Sequence, residues 1–268
     1  REPAPVTWDA TSAEKGGFKH FMLKEIFEQP TVIKETLAGR IDADGDVQLD
    51  DQLGAVTPEV LRALSKIAIT GCGTAYHAGM VGMYLLRSLV HLPVEMELAS
   101  EFRYGDPVVD PAGLTIAISQ SGETADTLAC IKHAKELGCQ TMAVCNVKMS
   151  SIPRECDATL HMEAGPEIGV ASTKAFTAML LAHYLVALVV AQKRGRLKGD
   201  DVVRVLNALV QERGRPKTIK TDNGSEFISK AMDKWAYERG VELDFSRPGK
   251  PTDNAMVRAS TVGCARSA

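Results

Sequence analysis

The chain has 268 residues, of which 45% are hydrophobic and 24% are charged, and its formal net charge is −3. This composition is typical of a globular protein, and the length allows one large core or two modest domains. A net charge so small excludes general attraction to nucleic acid or to a membrane surface. The six cysteines form no C-x-x-C pair and no signal-peptide pattern is found, so we expect reduced thiols, no zinc site and a cytoplasmic location.

The first part of the chain is predicted to contain a linker, two helices and an acidic loop. Residues 1–17 are rich in Pro, Ala, Thr and Gly and are predicted to be a linker; since the chain starts at Arg1, we expect it to be a fragment or a processed chain. Helices are predicted at 18–29 and 31–37, with Pro30 ending the first. The aspartates between 41 and 53 resemble a calcium loop, but its glycine comes too early and its closing glutamate is missing, so we predict a solvated loop and no metal.

The next 100 residues alternate between strand and helix patterns. Apolar runs predict strands at 66–70, 94–98, 114–118, 140–146 and 158–162, and helical periodicity predicts helices at 58–64, 75–90, 100–104, 125–137 and 150–155. This alternation predicts an α/β fold, a five-stranded parallel sheet sandwiched by helices, of flavodoxin or Rossmann-like type. Ligands of such sheets bind beyond the carboxyl ends of the strands, where the strand order reverses.

The most informative stretch is residues 116–127, where a buried strand passes into a helix through Ser119-Gln120-Ser121-Gly122. The first backbone N–H groups of a helix have no internal partner, and the helix dipole favours an anion there. The hydroxyls of Ser119, Ser121 and Thr124 add donors, which suits a phosphate monoester better than a carboxylate because phosphate has more acceptor oxygens. The alternative is that Ser121 or Thr124 merely caps the helix.

A second turn of this kind, Gly71-Cys72-Gly73-Thr74-Ala75-Tyr76-His77, follows the first strand. A Rossmann dinucleotide turn requires glycine where Tyr76 stands, which argues against NAD, and we expect no cofactor. The turn still opens a helix and forms a second anion cradle, and both turns fall at carboxyl ends, so they can converge on one ligand. His77 fits a packing or capping role better than a catalytic one.

Residues 167–177 contain a third hydroxyl-rich helix start. Ser172 or Thr173 can cap the following helix, and Lys174 could equally reach an anion or meet solvent. The helix at 174–192 is apolar almost all round, but it is short and contains a histidine and a tyrosine, so we predict a buried helix and no membrane span. Another amphipathic helix is predicted at 200–210.

Five motifs in this chain resemble the glucosamine-6-phosphate synthase family, also called glutamine–fructose-6-phosphate aminotransferases. They are Ala-Glu-Lys-Gly-Gly-Phe-Lys-His-Phe-Met-Leu-Lys-Glu-Ile at 13–26, Cys-Gly-Thr at 72–74, Ala-Ser-Glu-Phe-Arg-Tyr at 99–104, Ser-Gln-Ser-Gly-Glu-Thr at 119–124 and Val-Ala-Ser-Thr-Lys-Ala-Phe at 170–176. They occur in the family's order, and the resemblance covers about residues 1–210. It corresponds to the first of the family's two sugar-isomerase (SIS) modules, which places an SIS domain at 18–210.

The resemblance implies a site for fructose 6-phosphate or glucosamine 6-phosphate. Its implied residues are Ser119, Gln120, Ser121 and Thr124 at the phosphate and Thr74, Val170 and Ser172 at the sugar. Many relatives carry a phosphate-binding serine where this chain has Ala75, and losing that hydroxyl should weaken the site without abolishing it. Because SIS modules pair in the family, the resemblance also implies a homodimer, which the sequence itself does not fix.

The resemblance also implies that the parts needed for amino-sugar synthesis lie outside this chain. The glutaminase domain would precede residue 1, and the second SIS module, with the acid and base groups of the isomerisation, would follow residue 210. Moving a proton between adjacent carbons requires a positioned acid and base. Here His77 and Glu123 are the local candidates, and Glu123 is more simply a charge at a helix N-terminus. We therefore predict sugar-phosphate binding without full synthase activity and assign no catalytic residue.

After about residue 211 the sequence changes character and resembles the integrase catalytic core of insertion-sequence transposases. Those enzymes hold two metal ions with three acidic residues. Asp222, at the end of a predicted short strand, matches the second acid; a helix is predicted at 227–239 and a loop at 247–255. The third acid should stand at 258, where this chain has Arg258, and 256–268 no longer follow the family. One carboxylate beside an arginine cannot assemble a two-metal site, so Asp222 is interpreted as vestigial.

Three hypotheses for the function follow. The first is an SIS sugar-phosphate module fused to a truncated transposase fragment at 211–268. The second is a transposase or integrase remnant that acts in DNA integration, although we do not expect nucleic-acid binding. The third is an inactive relic of a gene fusion.

Overall fold

The computed structural model describes residues 14–41, 46–105 and 107–197, together with the backbone of 218–221 and 242–245. Contacts divide the chain into two units: Arg1–Ala38 with Leu49–Arg196, and Gly39–Gln48 with Leu197–Ala268. Several predicted features lie outside the described residues: most of the linker, the helices at 200–210 and 227–239, the loop at 247–255, Asp42, Asp44, Asp222 and Arg258.

The first unit alternates helices and strands in the predicted order. Its helices are α1 (Phe21–Leu37), α2 (Pro58–Ala63), α3 (Thr74–Val90), α4 (Ala99–Tyr104), α5 (Ala125–Glu136), α6 (Ser151–Glu155) and α7 (Lys174–Lys193). Its strands are β1 (Ile67–Gly71), β2 (Val94–Leu98), β3 (Leu114–Ser119), β4 (Gln140–Cys145) and β5 (Ala158–His161). All five predicted strands are present, with ends that differ from the predictions by at most one residue.

The five strands form one parallel sheet in the order β2-β1-β3-β4-β5. The chain moves from β1 to β2 on one side and then returns to place β3 on the other side of β1. The strand order therefore reverses between β1 and β3, which is the topological switch point of this fold. All six residues of β3 are buried, as expected for a central strand covered on both faces.

The helices form two groups around this sheet. α7 packs against α1, α2 and α3, whereas α5 packs against α4 and α6, and both groups also contact the strands. Layers of this kind bury the apolar residues of the strands from both sides. The predicted α/β fold, a parallel sheet of five strands flanked by helices, is confirmed.

The prediction that Pro30 ends a helix is wrong, because α1 continues through it. Proline removes one backbone hydrogen bond and crowds the preceding turn. Contacts on both sides of Pro30 hold the helix continuous: Thr177 Oγ1 donates to Gln29 Oε1 at 2.8 Å, and Thr36 Oγ1 donates to the backbone oxygen of Met162 at 2.6 Å. Tertiary packing therefore overrides the local signal for a helix end.

Helix α7 is the core helix of this unit. By length and composition it could cross a membrane, so the sequence argument from its length is wrong, but 67% of its most apolar 18-residue window is buried. Its His183 is fully buried, burial lowers the pKa of the imidazole to about 4, and Nδ1 lies 2.6 Å from the backbone oxygen of Met179. The ring packs so closely on Gly82 of α3 that a β-carbon there would overlap it.

The second unit contains a small sheet in which β6 (Thr218–Thr221) pairs in parallel with β7 (Glu242–Phe245). β6 confirms the short strand predicted before residue 222, whereas β7 was not predicted. Parallel neighbours are produced by a crossover connection and not by a hairpin.

Candidate functional site

The two turns that the sequence predicts as anion cradles lie side by side. β1 and β3 are hydrogen-bonded neighbours, and the last residue of β1, Gly71, is in register with Ile118, one residue before Ser119. Parallel strands end at the same edge of a sheet, so the turn at 71–77 and the turn at 119–124 open at the switch point together. The two turns are therefore neighbours at the edge of the sheet, which is the arrangement that the sequence predicts for a shared ligand.

The buried side chain of Ser119 holds the 119–124 turn by hydrogen bonds within the turn. Its side chain is buried, with 3% of the residue exposed, and Oγ accepts a hydrogen bond from the N–H of Gly122 at 2.9 Å. The same Oγ lies 3.1 Å from Oγ1 of Thr124, so the two hydroxyls share one proton between them and leave one proton for a ligand or another acceptor. Ser119 thus fixes the shape of the turn.

Gly122 is required by the close contact between this turn and the next one. Its φ is +69°, and a β-carbon at this position would overlap the side chain of Ser150. The backbone oxygen of Gly122 accepts a hydrogen bond from the N–H of Ile152 at 2.9 Å. The 119–124 turn is therefore held against the start of α6.

The side chains of Ser121 and Glu123 bind different parts of the protein. Ser121 is exposed, and its Oγ accepts from the N–H of Glu123 at 3.2 Å, which leaves its own O–H free to donate. The Glu123 carboxylate accepts from the N–H of Ser151 at 2.8 Å, and the hydrogen bonds from Ser151 lower the pKa of this carboxyl. Glu123 is indeed a charge at a helix N-terminus, but the helix is α6 and not its own α5.

Two helix starts remain open at the switch point. Thr124 is the N-cap residue of α5 and its side chain makes no capping bond, while the N-cap residue of α3 is Gly73, at φ +57°, which has no side chain that could cap. Within the described residues, no N-cap side chain therefore caps either helix, and at α3 the N–H of Tyr76 donates to the backbone oxygen of Cys72 at 3.4 Å. The exposed hydroxyls of Thr74 and Ser121 and the half-buried Gln120 lie at the same edge, while Ala75 is buried. Donors grouped in this way at helix N-termini are suited to anion binding.

The third hydroxyl-rich segment is occupied by the protein's own carboxylate. Glu167 Oε1 accepts from the N–H groups of Thr173 at 2.8 Å and Ala175 at 3.1 Å, and Ser172 Oγ donates to Glu167 Oε2 at 3.2 Å. Thr173 holds the N-cap position of α7 without making a side-chain capping bond. The two capping candidates therefore do not cap α7; Glu167 does.

Lys174 does not face solvent or an open anion site. Its side chain is 4% exposed, and Nζ lies 2.7 Å from Glu28 Oε2 on α1. Val170, in contrast, is fully exposed. Among the described residues, no hydrogen bond joins 170–172 to the 119–124 turn, whereas Thr74 follows the strand that pairs with the strand ending at Ser119.

Glu25 is a further residue of this region that sequence analysis missed. It is 2% exposed, and its Oε1 accepts from the N–H groups of Ile168 at 2.6 Å and Gly169 at 2.9 Å. Ile168 lies 143 positions later in the chain, so no local sequence pattern predicts this contact. Glu25 and Glu167 together fix the backbone of the loop that carries Val170 and Ser172.

The remaining titratable groups suggest no further chemistry. His77 is exposed and its ring meets the ring of Tyr76 edge-on. All five described cysteines are free thiols, as predicted, and burial raises the pKa of Cys130 to about 11 and that of Cys156 to about 12. Among the described residues, no cluster of His, Cys, Asp and Glu could hold a metal ion.

Comparison with known proteins gives two family matches. The SIS domain model matches residues 61–189, and the integrase core domain model matches residues 154–251. The two matches share residues 154–189, which in the structure run from α6 through β5 into α7. These shared residues belong to the five-stranded unit.

The curated relatives include the glutamine–fructose-6-phosphate aminotransferase (isomerizing) of Mycolicibacterium paratuberculosis, which is 52% identical over 204 residues, covering 76% of this chain and 32% of the relative. The enzyme of the same name from Clostridium tetani is 45% identical over 257 residues, covering 96% of this chain and 41% of the relative. The chain therefore spans 32% and 41% of the length of these two relatives.

A solved structure can be aligned with most of this chain. The C-terminal domain of glucosamine-fructose-6-phosphate aminotransferase from Francisella tularensis is 33% identical, aligns with a TM-score of 0.67, and shares 91% of this chain and 74% of that chain. Sequence identity and fold point the same way, and the chain belongs to the SIS domain family, as a homologue of this aminotransferase domain.

Proposed function

We propose that the five-stranded unit is a sugar-phosphate-binding module that takes fructose 6-phosphate or glucosamine 6-phosphate at the switch point. The observation that carries this proposal is the register of Gly71 with Ile118, which brings two uncapped helix starts to one edge of the sheet. Helix N-termini with converging hydroxyls favour a dianionic phosphate. The names of the homologous enzymes support the same class of ligand.

In this proposal the phosphate lies over the 119–124 turn and the start of α3. Ser121 and Thr74 donate from exposed hydroxyls, Gln120 adds its amide, and Ser119 with Thr124 holds the turn and supplies one proton. Val170 and Ser172 meet the sugar from the loop that Glu25 and Glu167 hold. That role requires the loop to lie over the bound sugar, and the resemblance to the family supports it.

Calorimetric titration with fructose 6-phosphate tests the proposal. We expect wild type to bind and Ser121→Ala to bind about 10-fold more weakly, because a hydrogen bond to a charged group contributes roughly 1.5 kcal/mol or more. Ser88→Ala is a matched control, because Ser88 Oγ donates to the backbone oxygen of Leu85 near the far end of α3. Equal affinities of wild type and Ser121→Ala, or no binding by wild type, would contradict the proposal.

We propose further that this chain alone does not make glucosamine 6-phosphate. It spans 32% to 41% of the two aminotransferases compared, and we assign no acid–base pair to its described residues. The test is a glucosamine 6-phosphate assay with glutamine or ammonia as nitrogen donor, in which turnover by the purified chain would refute this statement. By the same homology we propose a cytoplasmic homodimer. Light scattering measures its mass, and the free thiols of the described cysteines fit a reducing compartment.

The second candidate function is that of a DNA-integration remnant, and the integrase core match at 154–251 favours it. We infer that the chain joins an SIS module to a truncated integrase fragment after about residue 211, in which Asp222 is vestigial. Binding to duplex DNA that falls steeply with salt would support a nucleic-acid role. The third reading, an inactive relic, predicts binding neither to DNA nor to the sugar phosphate.

A further inference from the structure

The proposed phosphate site contains an acidic group of the protein itself. Asp126 lies in the first turn of α5, where a carboxylate competes with a bound anion for the positive end of the helix. Nη1 of Arg103 on α4 donates to Asp126 Oδ1 at 2.8 Å, and the side chains are 39% and 33% exposed. The hydrogen bond to Asp126 also raises the pKa of the guanidinium.

This ion pair is not what docks α4 onto α5. Phe102 is buried and its ring meets His133 of α5 edge-on, with the centroids 6.5 Å apart. The Cys130 thiol on α5 donates to the backbone oxygen of Ala99 at 3.2 Å. Because these buried contacts hold the two helices together, the charge of Arg103 is available for an electrostatic role.

The other charged side chains near the start of α5 do not replace Arg103. The Glu123 carboxylate is directed to the N–H of Ser151 and so faces α6. Lys132 is exposed and lies in the second half of α5, beyond its first turn. Among the described residues, Arg103 is therefore the cation that directly pairs with the acid at this helix start.

We propose that Arg103 sets the anion affinity of the site by cancelling the charge of Asp126. The proposal rests on the sugar-phosphate function proposed above and assigns Arg103 as a positioning residue that does not touch the ligand. When Arg103 is removed, the carboxylate of Asp126 repels a phosphate dianion bound at the same helix start. Two opposite charges a few ångströms apart cancel much of each other's field. The carboxylate of Asp126 therefore repels the phosphate strongly only when Arg103 is absent.

Titration of four proteins tests this screening role, with both fructose 6-phosphate and inorganic phosphate as probes: wild type, Arg103→Ala, Asp126→Asn and the double variant. At low ionic strength we expect Arg103→Ala to weaken binding by about 5-fold and Asp126→Asn to strengthen it by about 2-fold. The double variant should bind as tightly as wild type or more tightly. High salt should shrink the effect of Arg103→Ala, because salt screens the repulsion of exposed charges.

Several outcomes separate this role from others. Arg103→Lys keeps the charge and should remain within about 2-fold of wild type, and thermal melts show whether each variant is folded. If the double variant binds as weakly as Arg103→Ala, the arginine contacts the anion itself, and the screening proposal is wrong. If both single variants weaken binding equally, the pair is merely structural and the proposal is wrong. Failure of wild type to bind either probe overturns the proposed function and this inference together.

Discussion

The starts of α5 and α7 are alike in sequence and opposite in structure. Each follows a turn with serine and threonine, and each begins with backbone N–H groups that have no partner inside the helix. At α7 the carboxylate of Glu167 accepts from two of these groups, and Lys174 is buried in an ion pair with Glu28. At α5 the two nearby carboxylates are directed elsewhere, Glu123 to α6 and Asp126 to Arg103, and the N-cap side chain makes no capping bond.

The difference teaches what makes a helix start into an anion site. Hydroxyls and free amides are necessary, but they remain available only where no carboxylate of the protein itself occupies them. The switch point preserves this availability, because β1 and β3 place two such starts side by side with Glu123 turned away. The start of α7 instead anchors a loop. The following predictions test this contrast, from the largest effect to the smallest.

Gly122→Ala should have the largest effect on the α5 side. A methyl group would overlap Ser150, and φ of +69° is strained for alanine, so we expect unfolding to become easier by roughly 3 kcal/mol and phosphate binding to be lost. Denaturant unfolding and calorimetric titration measure the two effects.

Gly138→Ala is the matched control for this substitution. Gly138 also has a positive φ, of +80°, but a β-carbon there meets nothing within 4 Å. We expect a loss of about 1 kcal/mol and unchanged binding. If the two alanine variants behave alike, the close contact with Ser150 does not hold the turn, and our account of the open site fails.

Glu167→Ala should destabilise the α7 side by about 1 to 2 kcal/mol, because the N–H groups of Thr173 and Ala175 lose their acceptor. Inorganic phosphate binding should stay unchanged, because the phosphate turns are elsewhere. The control is Glu163→Gln, which removes a partly exposed ion pair with Lys148 and should cost less than about 0.5 kcal/mol. Equal losses in these two variants would show that Glu167 does not hold the start of α7.

Glu123→Gln should have the smallest effect, and the effect should depend on pH. Hydrogen bonds from Ser151 lower the pKa of this carboxyl in the folded state below its ordinary value of 4.5. The charged form therefore adds stability that is present above pH 4.5 and lost as the pH falls through the lowered pKa. We expect the Tm difference between wild type and Glu123→Gln to be positive at pH 7 and to shrink on acidification. A difference that grows on acidification would have the wrong sign; Glu136→Gln, at the far end of α5, is the control.

Most of the first unit could be predicted from the sequence because its strands are continuous apolar runs. β3 is the clearest case: its six residues are all buried, and its run was recognised together with the change to helical periodicity after it. β7 was missed because Glu242–Phe245 is short and alternates polar with apolar residues. The continuity of α1 was missed because the contacts around Pro30 come from α7 and from the end of β5, far along the chain.

The site could be predicted only in outline. The rule that ligands bind where the strand order reverses predicts that the turns at 71–77 and 119–124 are neighbours. Their hydroxyl groups indicate that the ligand is a phosphate. The sequence did not reveal that Ser119 is buried inside its turn, that Arg103 pairs with Asp126, or that Glu25 holds the loop before α7. Each of these contacts depends on which groups the folded chain brings close together, and not on the residues next to it in the sequence.

By itself the sequence determined the alternation of strands and helices, the parallel sheet, the hydroxyl-rich turns and the resemblance to the SIS modules, because all of these depend on residue type and spacing along the chain. Only the tertiary structure decided which helix start stays open. The reason is physical: an N–H group is free or occupied according to the nearest acceptor in space, and Glu167, Glu28 and Glu123 reach their partners through the packing of separate elements.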